Sequence, residues 1–200
     1  KKTTSASEQD TPRIQGMRYQ FRHWLLSVDP RNLVFVDESG VNLGMARLWA
    51  RAIRGERAVG HQPRTTGENV SLLGALSLEG LIATMSVKGS VDTDVFLTYL
   101  TRVLLPQLWQ GAIVVMDNLK VHHAHAVRLA IEAVGARVIF LPPYSPDLSP
   151  IELCWSKLKQ LLRSHAARTS EALSQALTLA VNAITEDDAF GWFAHCGLFI

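Results

Sequence analysis

Long apolar runs are missing from this 200-residue sequence, in which no stretch reaches about 18 uninterrupted apolar residues, so we expect no transmembrane helix. The first ten residues, KKTTSASEQD, contain no apolar segment, which excludes a signal peptide and favours a linker over residues 1–10. Because the chain does not begin with Met, we expect a fragment or a processed product. Two cysteines, Cys154 and Cys196, are too few for a disulfide framework, and we expect a cytoplasmic protein.

The composition is that of a folded domain, with 48% hydrophobic and 19% charged residues. A net charge of +2 says little about partners, but the charges are unevenly distributed. Between residues 47 and 64 there is a single acid, Glu56. Two interpretations stay open for this segment: a solvated face of a hairpin, or a strip that contacts nucleic-acid phosphates. Its five cations are Arg47, Arg51, Arg54, Arg57 and Arg64.

The order of periodic segments predicts an α/β domain with a mixed sheet. The sheet should be antiparallel near residues 33–87 and parallel afterwards. Strands are predicted at 33–36, 69–77, 81–87, 113–116 and 138–141, with a further strand or hairpin at 47–59. Helices are predicted at 14–28, 92–105, 122–134, 151–164 and 170–184.

Two of the apolar strands are predicted to end at an aspartate, Asp37 and Asp117. If these strands are neighbours, the two carboxylates face each other, and a divalent cation between them would offset their repulsion. Oxygen ligands of this kind suit Mg²⁺ or Mn²⁺. The alternative is that each aspartate only begins a turn, where this residue is common.

A third carboxylate, Glu152, lies at the start of a predicted helix. Ser149 and Glu152 have the spacing of a capping box, which would explain the glutamate without any catalytic role. On the helix, however, Glu152 shares one flank with Lys159 and Arg163. An acid followed by two cations along one face fits a metal site that opens onto a phosphate backbone. The alternative is that both cations are ordinary solvated side chains.

Three blocks of sequence, VFVDESGVNL, VVMDNLKVHH and LPPYSPDLSPIELCWSKLK, together with the closing WFAHCG, resemble DDE transposases of the mariner-like superfamily, in their bacterial insertion-sequence branch. The 34 residues between Asp117 and Glu152 are also typical of family members whose third acid is glutamate. The resemblance extends over nearly the whole chain, from about residue 11 to residue 196.

The resemblance implies a ribonuclease H-like fold and a catalytic triad of Asp37, Asp117 and Glu152. It implies two Mg²⁺ or Mn²⁺ ions, with Asp37 bridging both, Asp117 holding one and Glu152 the other. Asn118 and His122 match positions where the family often has polar residues, although turn and helix-cap roles explain them equally well. Ser149 departs from the family's usual asparagine, which places a direct substrate contact at that position in doubt.

The resemblance also implies the partners and the reaction, which are transposon-end and target DNA, a homo-oligomer on that DNA, and cleavage followed by strand transfer. An amino-terminal helix-turn-helix region, usual in the family, is not found in these residues, so we expect little sequence preference. Two alternatives remain, a plain metal-dependent nuclease and an inactive DNA-binding remnant. In a bacterium, the protein would be cytoplasmic and associated with the nucleoid.

Overall fold

The structure, a computed structural model, describes residues 6–61, 67, 69–119 and 125–199. The described residues contain one mixed sheet of five strands with the order β3-β2-β1-β4-β5. The strands are β1 (Leu33–Val41), β2 (Val70–Ser77), β3 (Gly80–Lys88), β4 (Ile113–Met116) and β5 (Arg137–Phe140). The helices are α1 (Pro12–Leu25), α2 (Thr93–Tyr99), α3 (His125–Ala133), α4 (Pro150–His165), α5 (Ser170–Asn182) and α6 (Glu186–His195).

The pairing of the strands changes from antiparallel to parallel at the central strand of the sheet, as predicted. β1, β2 and β3 form an antiparallel meander, whereas β4 and β5 run parallel to β1. β1 therefore belongs to both halves, with β2 on one side and β4 on the other. This arrangement confirms the mixed α/β sheet expected from the order of the segments.

Helices cover both faces of the sheet because side chains alternate along each strand. Leu33 and Phe35 of β1 pack in one core cluster, with helices α1, α4, α5 and α6. Val34 and Val36 pack in the other, with α2 and α3. None of the helices described by the structure is both long and apolar enough to cross a membrane.

The structure differs from the predictions at three segments. β1 does not end at Asp37 but continues to Val41, because pairing with β2 extends beyond the point where pairing with β4 stops. The strand or hairpin predicted at 47–59 is wrong, since these residues form no strand and are exposed. Helix α6 was not predicted, although Thr185 and Asp188 form a capping box at its start.

Helix α1 is attached to the loop that precedes α4. The buried guanidinium of Arg18 donates to both carboxylate oxygens of Asp147, at 2.9 and 2.6 Å, and to the Ser145 hydroxyl at 2.7 Å. These hydrogen bonds hold the pKa of Asp147 below its usual value. Within the expected linker, Gln9 lies in a short 3-10 turn and donates to the Tyr144 carbonyl at 3.0 Å. The loop is thereby fixed from outside the sheet.

Candidate active site

The parallel pairing of β1 and β4 places two of the predicted acids side by side. Val36 is paired with Met116, and the next residue along the chain after each of them is an aspartate. Asp117 directly follows β4, as predicted, whereas Asp37 lies within β1 and is paired with Gly74 of β2 on its other side. The two strands are therefore neighbours, which is what the predicted pairing of the two carboxylates requires.

Asp37 lies in an environment that disfavours its charged form. Burial raises the pKa of Asp37 to about 6, and repulsion from Glu152 and Asp117 acts in the same direction. Hydrogen bonds to Asp37 from the Glu38 backbone and from the Trp155 indole oppose this rise. The Trp155 Nε1–H donates to Asp37 Oδ2 at 2.9 Å.

Glu152 is in the first turn of α4, as predicted, but the predicted capping box is not formed. Ser149 occupies the N-cap position, yet its side chain makes no capping hydrogen bond. The cap instead uses the Ser149 carbonyl, which accepts from the Glu152 backbone N–H at 3.2 Å. The capping explanation for the Glu152 side chain is therefore wrong, because no bond to it is needed to begin this helix.

The charge around Glu152 is mixed. Partial burial raises its pKa, and the nearby charge of Asp117 adds to this rise. The charge of Lys159 acts in the opposite direction, which places this lysine near enough to influence the carboxylate. Two turns of α4 separate Glu152 and Lys159, so the flank predicted from the helical wheel is present.

All three acids line one open cleft of about 560 Å³. Asn118 also lines it, and its side-chain amide donates to the Leu141 carbonyl at 2.6 Å, so this residue connects the end of β4 to the chain after β5. Within the described residues, no group of three or more His, Cys, Asp or Glu side chains lies close enough together to hold a metal ion. The carboxylates of the described residues thus share a cleft without being gathered as a set of ligands.

The predicted cations occupy two places. Lys159 and Arg163 line a separate, shallow depression together with the end of β1 and residues that follow it. Arg47, Arg51, Arg54 and Arg57 are exposed in the segment without strands. Arg64 and His122 lie outside the described residues.

Two further residues at the cleft were not predicted as functional. Arg13 of α1 also lines the cleft, and the sequence gave no signal for it beyond the polar face of that helix. Trp155 is buried on the inner face of α4, and its hydrogen bond reaches Asp37. The signal that could have identified it is its position one helical turn after Glu152.

Residues 32–174 match the family described as DDE superfamily endonuclease. The chain belongs to this family. The matched region contains all three acids of the cleft. No curated protein matches the chain.

Solved structures of mariner transposases share the fold of this DDE endonuclease domain. A Mos1 transposase paired-end complex with the left transposon end aligns over 98% of the chain with a TM-score of 0.76 and 20% identity. A Mos1 mariner paired-end complex with Mn has a TM-score of 0.77, 19% identity and 98% coverage. The chain spans 62% and 63% of those two transposase chains.

The catalytic domain of Mos1 mariner transposase alone aligns over 99% of this chain and 94% of its own length, with a TM-score of 0.71 and 16% identity. At such identities the likeness shows the fold, which is the ribonuclease H-like fold expected from the sequence. The DDE endonuclease domain described here thus corresponds in extent to the catalytic part of those transposases.

Proposed function

We propose that this chain is the catalytic domain of a DNA transposase that cleaves DNA strands and joins them to new positions. The observation that carries the proposal is the β1–β4 register, which brings Asp37 and Asp117 together in a cleft that Glu152 also lines. Family membership supports the cleavage step, and the shared fold with a Mos1 strand transfer complex supports strand transfer.

A divalent cation suits the donor atoms of this cleft. Three carboxylates supply the hard oxygen ligands that Mg²⁺ and Mn²⁺ prefer. The pKa values of Asp37 and Glu152 are raised partly by repulsion among the acids, and a bound cation would remove that repulsion. Asp37, Asp117 and Glu152 would hold two such ions, which supply activation of the attacking oxygen and stabilisation of the leaving oxygen. Mos1 structures with Mn and with Mg support this choice of metal.

The chain's own residues would then bind and align the DNA. Lys159 and Arg163 lie further along α4 than Glu152 and would contact phosphates on either side of the bond to be cut. The exposed arginines of residues 47–57 would contact phosphates further away. We propose a homo-oligomer on DNA as the working assembly, supported by the paired-end complexes of Mos1.

The proposal is tested by incubating the chain with supercoiled plasmid in Mg²⁺ or Mn²⁺ and measuring nicked and joined products. Glu152→Gln should abolish nicking without lowering Tm, because its side chain has no capping bond to lose. Glu171→Gln is the matched control, since Glu171 is likewise in the first turn of a helix, α5. Retained nicking in Glu152→Gln would overturn the assignment. Nicking without joined products would support a plain nuclease, and no nicking by the wild-type chain would support an inactive remnant.

A further inference from the structure

Trp155 is the side chain that touches the proposed metal site from inside the core. Its indole is 2% exposed and packs among the apolar residues beneath α4. Its one donor, Nε1–H, points at Asp37 Oδ2 at 2.9 Å. A buried indole requires an acceptor for this group, and a carboxylate makes the bond charge-assisted and directional.

Gly74 supplies the room for this ring. It is the residue of β2 paired with Asp37, so the two occupy neighbouring positions across the sheet. A Cβ atom at residue 74 would lie 2.5 Å from Cη2 of Trp155, closer than real contacts allow. Glycine inside a strand usually marks such a close approach. The indole therefore lies over Gly74 and reaches across to the carboxylate of Asp37.

Glu152 and Trp155 are three residues apart in α4, which is about one helical turn. One rigid element thus places the third acid in the cleft and holds the carboxylate of the first acid. Any shift of α4 along the sheet would move Glu152 and break the bond to Asp37 together. The placement of these two acids is coupled through a single side chain.

We propose that Trp155 is a positioning residue, which acts with Gly74 to orient the Asp37 carboxylate for divalent-cation binding. This inference rests on the proposed function, because it presumes that Asp37 is a metal ligand. Partners of metal ligands that fix a ligand's orientation typically change metal affinity by about 10- to 100-fold when they are removed. A residue that only fills the core would change thermal stability and leave metal affinity unaltered.

The test measures the Mn²⁺ dissociation constant of the whole chain by calorimetry, without DNA and below Tm. Trp155→Phe removes the donor and keeps a ring, and we expect Mn²⁺ affinity to fall by about 10- to 100-fold. Trp109→Phe is the matched control, because it removes one indole hydrogen bond, to Asn32 at 3.2 Å, away from the cleft. Its Mn²⁺ affinity should equal that of the wild type.

Gly74→Ala provides an independent variant that keeps the indole but displaces it, and it should weaken Mn²⁺ binding in the same way. Wild-type chain labelled with ¹⁵N gives a further readout that requires no variant to fold well. The indole N–H signal of Trp155 should shift on addition of Mg²⁺, whereas the signal of Trp109 should not.

The outcomes separate the inference from the proposed function. If Asp37→Asn abolishes Mn²⁺ binding while Trp155→Phe and Gly74→Ala bind like the wild type, the positioning role is wrong and the metal site stands. If Asp37→Asn itself binds Mn²⁺ like the wild type, the metal site is wrong as well. A Trp155 indole signal that ignores Mg²⁺ while the wild type binds it would also overturn the inference.

Discussion

The acid cleft and the arginine segment of residues 46–61 are two polar regions of one domain that are held in different ways. In the cleft, strand register fixes Asp37 and Asp117, and a helix fixes Glu152. The arginine segment has no helix or strand, and it also exposes apolar side chains, with Trp49 at 86% and Ile53 at 74%. The acids of the cleft are thus held at fixed positions, and we propose that the arginine segment adapts its surface to a partner.

The largest effect on cleavage is expected from substitution of Asp37 in the cleft. Asp37→Asn should reduce metal-dependent cleavage by at least about 1,000-fold, since metal ligation stabilises the transition state by several kcal/mol. Glu38→Gln is the matched control on the adjacent residue of β1, which faces the other side of the sheet beside Ser71. Equal losses of cleavage in both variants would contradict the assignment of Asp37.

The second prediction removes two cations from each region and compares the results by DNA binding across a salt series. Lys159→Ala with Arg163→Ala and Arg51→Ala with Arg54→Ala should each flatten the salt slope by up to about two units, for any DNA sequence. Only the first pair should also slow cleavage of bound DNA, because Lys159 acts on the cleft charge itself. A matching loss of cleavage from the Arg51 and Arg54 pair would show that the arginine segment also serves the cleft.

A smaller effect concerns pH. Because the folded-state pKa of Asp37 is about 6, above its value of roughly 4 in the unfolded chain, the native state binds the extra proton between those pH values. The contribution of Asp37 to the free energy of unfolding therefore falls as pH rises from about 4 to 6.

Without metal, wild-type Tm should fall relative to Asp37→Asn over that pH interval, as measured by thermal unfolding of both proteins. If Tm changes with pH in the same way in both proteins, the pKa of Asp37 is not raised by its surroundings. The same titration on Glu38→Gln supplies the control, since Glu38 is outside the acid cleft.

The smallest effect is expected in the arginine segment. Trp49→Ser should change the free energy of unfolding by less than about 0.5 kcal/mol, because the side chain is already exposed to solvent. Trp155→Phe, in contrast, removes buried contacts and should lower Tm clearly. Denaturant unfolding of both variants measures the difference, and a large loss in Trp49→Ser would show that the segment packs in solution.

The strand ends and the helix start that carry the cleft could be predicted from local pattern, whereas the grouping of the three acids as one site was implied by the family resemblance. Apolar runs followed by Asp37 and Asp117 identify strands and their polar ends, and Glu152 follows a helix start. The continuation of β1 beyond Asp37 depended on pairing with β2, which local pattern does not specify. The bond between Trp155 and Asp37 joins residues 118 positions apart and depends on the absent side chain of Gly74. The strand or hairpin predicted at residues 47–59 is not formed, since these residues are exposed and pair with no strand among the described residues.

The pairing of β1 with β4 also has a consequence for how the chain folds. Val36 and Met116 are 80 positions apart, whereas β2 and β3 are joined by a turn of two residues, Leu78 and Glu79. Closing a long loop costs more conformational entropy than closing a short one, so we expect the β2–β3 hairpin to form early and the β1–β4 pair late. A growing or partly folded chain would carry three separate acids and no cleft. We therefore expect the chain to gain DNA cleavage activity only after β1 has paired with β4.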